Sequence, residues 1–115
     1  MSNLLVEVTE ATYEQEVVNS PIPVIVDFWA PWCAPCLALN PALEALAAEY
    51  EGRLKIAKIN ADENVALRDK FGVRGIPQLF LVTQGAPPAP VRGRTRTRLQ
   101  IEIDDLLEGM TKEQP

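Results

Sequence analysis

Histidine is absent from this 115-residue chain. Without an imidazole there is no Ser-His-Asp triad, no Cys-His protease pair, no His-ligated zinc and no haem held by histidine. Acid–base chemistry is left to Asp, Glu, Lys, Tyr or Cys. Cysteine is scarce too: Cys33 and Cys36 alone are too few for a secreted disulfide scaffold. Cations are missing from a whole stretch. Residues 1–52 carry eight carboxylates and no Lys or Arg, so that part is −8, while the remainder, with eleven bases against eight acids, is +3. A secretory signal needs a basic n-region and a transit peptide needs arginines, so residues 1–10 read as neither. No apolar run approaches the roughly 18–20 residues that span a bilayer. The acidic balance, −5 overall, argues against nucleic acid as the main partner.

What is present suits one soluble domain with a modest core: 47% of residues are hydrophobic and 23% charged. Leu4, Val6 and Val8 alternate like a short strand. Thr12-x-x-Gln15 reads as a capping box opening a short helix that turns Tyr13 and Val17 inward, stopped by Pro21 and Pro23. Val24-Ile25-Val26-Asp27-Phe28 is apolar almost throughout, the pattern of a central strand covered on both faces. From about residue 34 to 50, Leu39, Leu43, Leu46 and Tyr50 recur at helical spacing, with Pro41 inside, where a kink is expected. Gly52 ends that helix, and residues 54–59 alternate as a strand. Asn64 is placed to cap a short helix ending at Phe71-Gly72. Residues 78–82 form a strand, 84–90 a proline-rich connection, and Val91 a last short strand leading to Gly93. Thr97 is placed to cap a terminal helix with Leu99, Ile103, Leu106 and Leu107 on one face. The order β-α-β-α-β-α-β-β-α is mixed α/β, parallel crossovers first and a hairpin near the end.

The stretch with chemistry in it is Trp32-Cys33-Ala34-Pro35-Cys36, where a buried strand ends and a long helix begins. A separation of three at a helix start brings the Cα atoms to about 5.5 Å, within reach of a disulfide. Free N–H groups and the positive end of the helix dipole favour the thiolate of Cys33. Cys36, one turn in and more buried, stays a thiol until needed. Pro35 sits in the first turn, where its missing N–H costs nothing. Cys33 is then the nucleophile on a substrate disulfide and Cys36 the resolving thiol, with no metal or organic cofactor. A C-x-x-C is also half of a zinc site. With no other Cys and no His here, that reading survives only as a site shared between two chains.

Asp27-Phe28-Trp29-Ala30-Pro31-Trp32-Cys33-Ala34-Pro35-Cys36, followed in order by Pro41, Lys58, Gly72-Val73-Arg74-Gly75-Ile76-Pro77, Gly85 and Gly93, strongly resembles the thioredoxin family. The resemblance covers roughly residues 5–109. It implies the thioredoxin fold, a central mixed five-stranded sheet flanked by four helices, in one domain spanning 1–115 with a short flexible tail at 110–115. It implies a protein-disulfide reductase working through a Cys33–Cys36 redox disulfide and maintaining cell redox homeostasis. The expected partners are disulfide-containing proteins and a flavin- and NADPH-dependent reductase, with the chain a cytoplasmic monomer that binds neither nucleic acid nor membrane.

Several residues admit two readings. Asp27 either points to solvent at the strand end or is buried, its pKa raised by desolvation, as the general base that takes the Cys36 proton; the resemblance favours the base. Lys58 is a solvated strand residue or, by resemblance, a cation tuning Asp27. Trp32 packs inward or offers substrate a flat apolar contact, whereas Trp29 reads as structural. By resemblance Ile76–Pro77 is a cis peptide facing the cysteines, with Gly75 and Gly93 beside a docking surface for an extended substrate segment. Arg92, Arg94, Arg96 and Arg98 are a solvated run or a contact for an acidic partner. Two departures bear on redox potential and docking: Ala34 stands where the family most often has Gly, and Leu37 where it often has a base. The rival functions are a thiol oxidase or isomerase with altered potential, and a binding subunit that uses the fold without turnover.

Overall fold

The most apolar stretch of the sequence becomes the middle of the sheet. In the computed structural model, which describes residues 4–112, the strands are β1 (Leu5–Glu7), β2 (Val24–Trp29), β3 (Lys55–Asn60), β4 (Gln78–Val82) and β5 (Ala89–Val91). They form one sheet in the order β1-β3-β2-β4-β5. Both β1 and β2 run parallel to β3, while β4 is antiparallel to β2 and to β5. The helical elements are a short π-helix (Glu14–Val18), α1 (Ala34–Glu49), α2 (Val65–Phe71) and α3 (Arg96–Lys112). The expected element order and the mixed five-stranded sheet are both observed. No helix among the described residues is long and apolar enough to cross a membrane.

Alternation along β2 sorts the core into two layers. Val24, Val26 and Phe28 join Val8, Tyr13, Val17, Ile59, Leu67 and Phe80 under the π-helix and α2. There the Phe71 ring lies 5.2 Å from Phe28 and 5.0 Å from Phe80. Ile25 faces the other way, onto Leu39, Leu43 and Leu46 of α1 and Leu99 and Ile103 of α3. That parity also decides where Asp27 goes: two residues beyond Ile25, it faces the α1 side.

Local expectations fail where a side chain finds a longer-range partner. Thr12 caps nothing; its Oγ1 accepts from the N–H of Thr9 at 3.0 Å, and the helix that follows begins behind Tyr13 as a π-turn, closed by Asn19 N–H to Glu14 O. Asn64 does precede α2, but its side chain is tied to Glu10 N–H and Asn60 O, and Glu10 supplies the missing cap by accepting from Ala66 N–H at 2.8 Å. Helix α3 starts earlier than expected, so the capping hydroxyl is that of Thr95, which accepts from Arg98 N–H, rather than that of Thr97. Strand β5 takes in Ala89 and Pro90 from the expected connection; Pro90 is tolerated because β5 is an edge strand. Gly72, at φ 67°, ends α2 in the left-handed conformation as its residue type suggests. Helix α1 continues through Pro41. Helix α3 runs on to Lys112, and residues 113–115 of the expected tail lie outside the described residues.

The turn from β5 into α3 is tight enough to require glycine. A Cβ on Gly93 would stand 3.0 Å from the backbone C of Arg98 and 3.0 Å from the backbone N of Leu99. Backbone inside a helix cannot move aside cheaply. Gly93→Ala is expected to lower stability by about 1–3 kcal/mol, read as a shifted urea midpoint at unchanged slope.

Candidate active site

Cys33 closes the loop that leaves β2 and is itself the residue before α1, extended at φ −92° and ψ 99°. The helix begins at Ala34, with Pro35 in its first turn. Among the first N–H groups of the helix, that of Cys36 donates to Cys33 Sγ at 3.3 Å. This is the bond that would hold negative charge on the sulfur. The Cα atoms are 5.3 Å apart and the cysteines are joined as a disulfide. Cys33 keeps 5% of its surface exposed and Cys36 none, so a second molecule reaches Cys33 first.

Ala30, Trp29 and Ile76 pack around the pair. Ile76–Pro77 is a cis peptide, and the Ile76 carbonyl oxygen lies 3.9 Å from Cys33 Sγ. Neither the N–H nor the C=O of Ile76 forms a backbone hydrogen bond among the described residues. Trp32 is 69% exposed rather than packed inward, with its indole N–H fixed on Asp62 at 2.6 Å. A groove of about 380 Å³ runs past Trp32, Arg74, Gly75 and Ile76. Gly93 sits on the adjoining loop, next to Arg94, which donates to the Pro77 carbonyl at 3.2 Å. The structure therefore gathers Cys33, Ala34, Pro35, Trp32, Gly75, Ile76, Pro77 and Gly93 at one end of the sheet.

Below them lies a row of charge. Glu7, Lys58 and Asp27 occupy matching positions on β1, β3 and β2. Asp27 does not point to solvent: it is fully buried, and neither carboxylate oxygen has a hydrogen-bond donor among the described residues. Lys58 is 7% exposed rather than solvated. Its ammonium donates to Asn40 Oδ1 on α1 and lies 4.4 Å from the centre of the Trp29 ring. The Trp29 indole N–H in turn donates to Glu7 at 3.2 Å. Burial raises the Asp27 pKa to about 6; the Lys58 and Arg94 cations pull it back, and Glu7 pushes it further up. Partial burial raises Glu7 as well.

Glu7 and Asn40 are site residues that the sequence did not single out, and Arg94 stood out only as one of four alternating arginines. Glu7 had a signal, since period-two alternation puts it on the face of Leu5. Asn40 depends on how α1 packs and had none, while the arginine run marked Arg94 without its place beside Pro77, which the packing of the β5–α3 loop sets.

A strand-to-helix junction carrying a Cys-x-x-Cys disulfide, above a buried carboxylate, defines a thiol–disulfide oxidoreductase. The comparisons with known proteins give the family. The thioredoxin family model matches residues 4–105. The chain is 47% identical over 79 residues to thioredoxin of Porphyra purpurea, covering 69% of this chain and 74% of the relative. With thioredoxin of Pseudomonas aeruginosa it shares 48% over 85 residues, 74% of this chain and 79% of the other. With that of Thiocapsa roseopersicina it shares 49% over 84 residues, 73% and 92%. The chain belongs to the thioredoxin family.

The buried carboxyl makes stability depend on pH. In the unfolded chain Asp27 ionises near 3.8, in the folded one near 6. Between those values the folded state binds the extra proton, so stability falls as pH rises through this window. At about 1.4 kcal/mol per pKa unit, the loss is about 3 kcal/mol by pH 7. Asp27→Asn is expected to abolish this slope and to be the more stable protein at pH 7, measured by urea unfolding of the oxidised form from pH 4 to pH 7.5.

Proposed function

We propose that the chain reduces protein disulfides in the cytoplasm as a monomer, drawing electrons from a flavin- and NADPH-dependent reductase. The observation that carries the reading is the Cys36 N–H on Cys33 Sγ at a helix N-terminus, with an unpaired buried carboxylate on the α1 side of the sheet. A compartment that keeps thiols reduced is where such a dithiol turns over.

Cys33 thiolate attacks one sulfur of the substrate disulfide, a mixed disulfide forms, and the other substrate sulfur leaves as a thiolate. Asp27 then accepts the Cys36 proton, directly or through water. The Cys36 thiolate attacks Cys33 Sγ, forming the internal disulfide and releasing the second substrate sulfur. The reductase returns two electrons, and the dithiol is restored with two protons. Lys58 is the tuning cation for Asp27. Pro35 stiffens the reactive ring, and Ala34 adjusts its potential. Trp32, Gly75, Ile76, Pro77 and Gly93 form the docking surface, with the unpaired Ile76 backbone placed to add a substrate strand.

Cys36→Ser is expected to trap substrates on Cys33 as stable mixed disulfides, visible on non-reducing gels and absent from the Cys33→Ser/Cys36→Ser protein. Asp27→Asn should slow resolution about 100-fold at pH 7 while first attack changes little, followed by single-turnover quench. The reduction potential against glutathione should fall near the roughly −270 mV of thioredoxins, far from the oxidase range.

A further inference from the structure

Arg94 stands at the mouth of the site with its charge uncancelled. Its Nη1 donates to the carbonyls of Val91 at 3.0 Å and Gly93 at 2.8 Å, and Nη2 to that of Pro77 at 3.2 Å. Those acceptors are neutral, so they fix the guanidinium without neutralising it. Among the described residues no carboxylate forms an ion pair with it. Glu102, the carboxylate on the neighbouring turn of α3, accepts instead from the backbone N–H groups of Arg92 and Gly93. Of the five N–H donors of Arg94 the bonds to carbonyls use three, which leaves the Nε–H and one Nη2 N–H for an incoming carboxylate.

The position matters as much as the charge. Arg94 lines a concave pocket of about 320 Å³ with Pro35, Ala38, Leu39 and Pro77. Pro35 lies inside the Cys33–Cys36 ring, and Pro77 follows the residue whose carbonyl faces Cys33 Sγ. The pocket shares no lining residue with the Trp32 groove. Arg92 and Arg98, exposed on the same loop and helix start, add charge of the same sign. The cation reaches Asp27 as well, whose carboxyl it pulls down.

We propose that Arg94 is a specificity-determining residue, selecting disulfide substrates that carry Asp or Glu within a few residues of the attacked cysteine. The inference rests on the reductase reading above. A substrate segment laid along Ile76 brings its neighbouring side chains past Pro77, where a preorganised guanidinium meets an acid without first giving up a partner. An acidic side chain there gains a charge-assisted bond, a neutral one gains little, and a basic one is repelled.

The test uses three disulfide-bonded peptides identical except for Glu, Gln or Lys flanking one cysteine. Their kcat/KM values are compared within each protein, so a loop disturbed by losing the Pro77 contact scales all three alike. The wild type should rank Glu over Gln over Lys, with the Glu peptide about three- to tenfold ahead of Gln at low salt. That lead should shrink at roughly 0.5 M salt. Arg94→Lys should keep the order with a smaller lead, and Arg94→Glu should invert it toward the Lys peptide. The inversion also removes any effect of the flanking charge on the peptide's own thiols. A wild-type Glu-to-Gln ratio near one, or an unchanged order in Arg94→Glu, would overturn the assignment of Arg94. Failure to reduce any of the three peptides would overturn the reductase reading and this inference with it.

Discussion

One covalent junction organises the molecule: the buried strand β2 runs out into the first turn of α1. Because β2 is the central strand and five of its six residues are buried, its direction and register are set from both faces. The helix that follows has to begin at the sheet's end, and Cys33 is the residue at that beginning. Shifting β2 by one residue would swap Ile25 and Asp27 onto the other face and take the carboxyl out of the α1 layer. Packing and chemistry therefore depend on the same register. The chain has no cation in residues 1–52 to stabilise a thiolate by sequence proximity, which leaves the helix N–H groups as the nearest source of positive potential.

The charge row beneath the junction shows which electrostatic effect prevails. Lys58 lies opposite Asp27 and would be expected to hold its carboxyl ionised. Burial prevails instead, and the carboxyl is raised. The reason is geometric. The Lys58 ammonium is committed to Asn40 Oδ1 and the Trp29 ring, so it acts on Asp27 through space and makes no hydrogen bond to it. Glu7, on the far side of Lys58, competes for the same cation and adds repulsion. A direct ion pair would have removed the basicity that the proposed proton transfer needs.

How much of this was legible in the sequence follows from the range of each interaction. The central strand, the long helix and the cysteine pair are written in local pattern, and the element order read from them is the one observed. Resemblance supplied the cis Ile76–Pro77 peptide, which spacing alone would not. The burial of Asp27 was open between two readings, because the end of an apolar run does not say how far the sheet's cover extends. The caps went wrong for a physical reason: Thr12, Asn64 and Thr97 are all plausible capping types, but Glu10 and Thr95 make the bonds, one of them across 56 residues. Arg94 was visible only as one of four alternating arginines, which no pattern separates. What singles it out is the Pro77 carbonyl, a contact made by tertiary packing.

The missing histidine returns at this point with a different meaning. A dithiol mechanism needs a base that accepts a proton near neutral pH, and imidazole, titrating near 6.5, is the usual supplier. An ordinary carboxylate, ionising near 4, is too weak a base for a thiol of pKa about 8.5. Desolvation closes nearly half of that gap. A side chain with no donors to its oxygens among the described residues and a raised pKa of about 6 has nearly the affinity for protons that an imidazole has, built from an aspartate chiefly by burial. The same burial that makes Asp27 costly to the fold is what makes it serviceable as the proposed base. The sequence therefore needs an apolar run around Asp27 more than it needs a histidine anywhere.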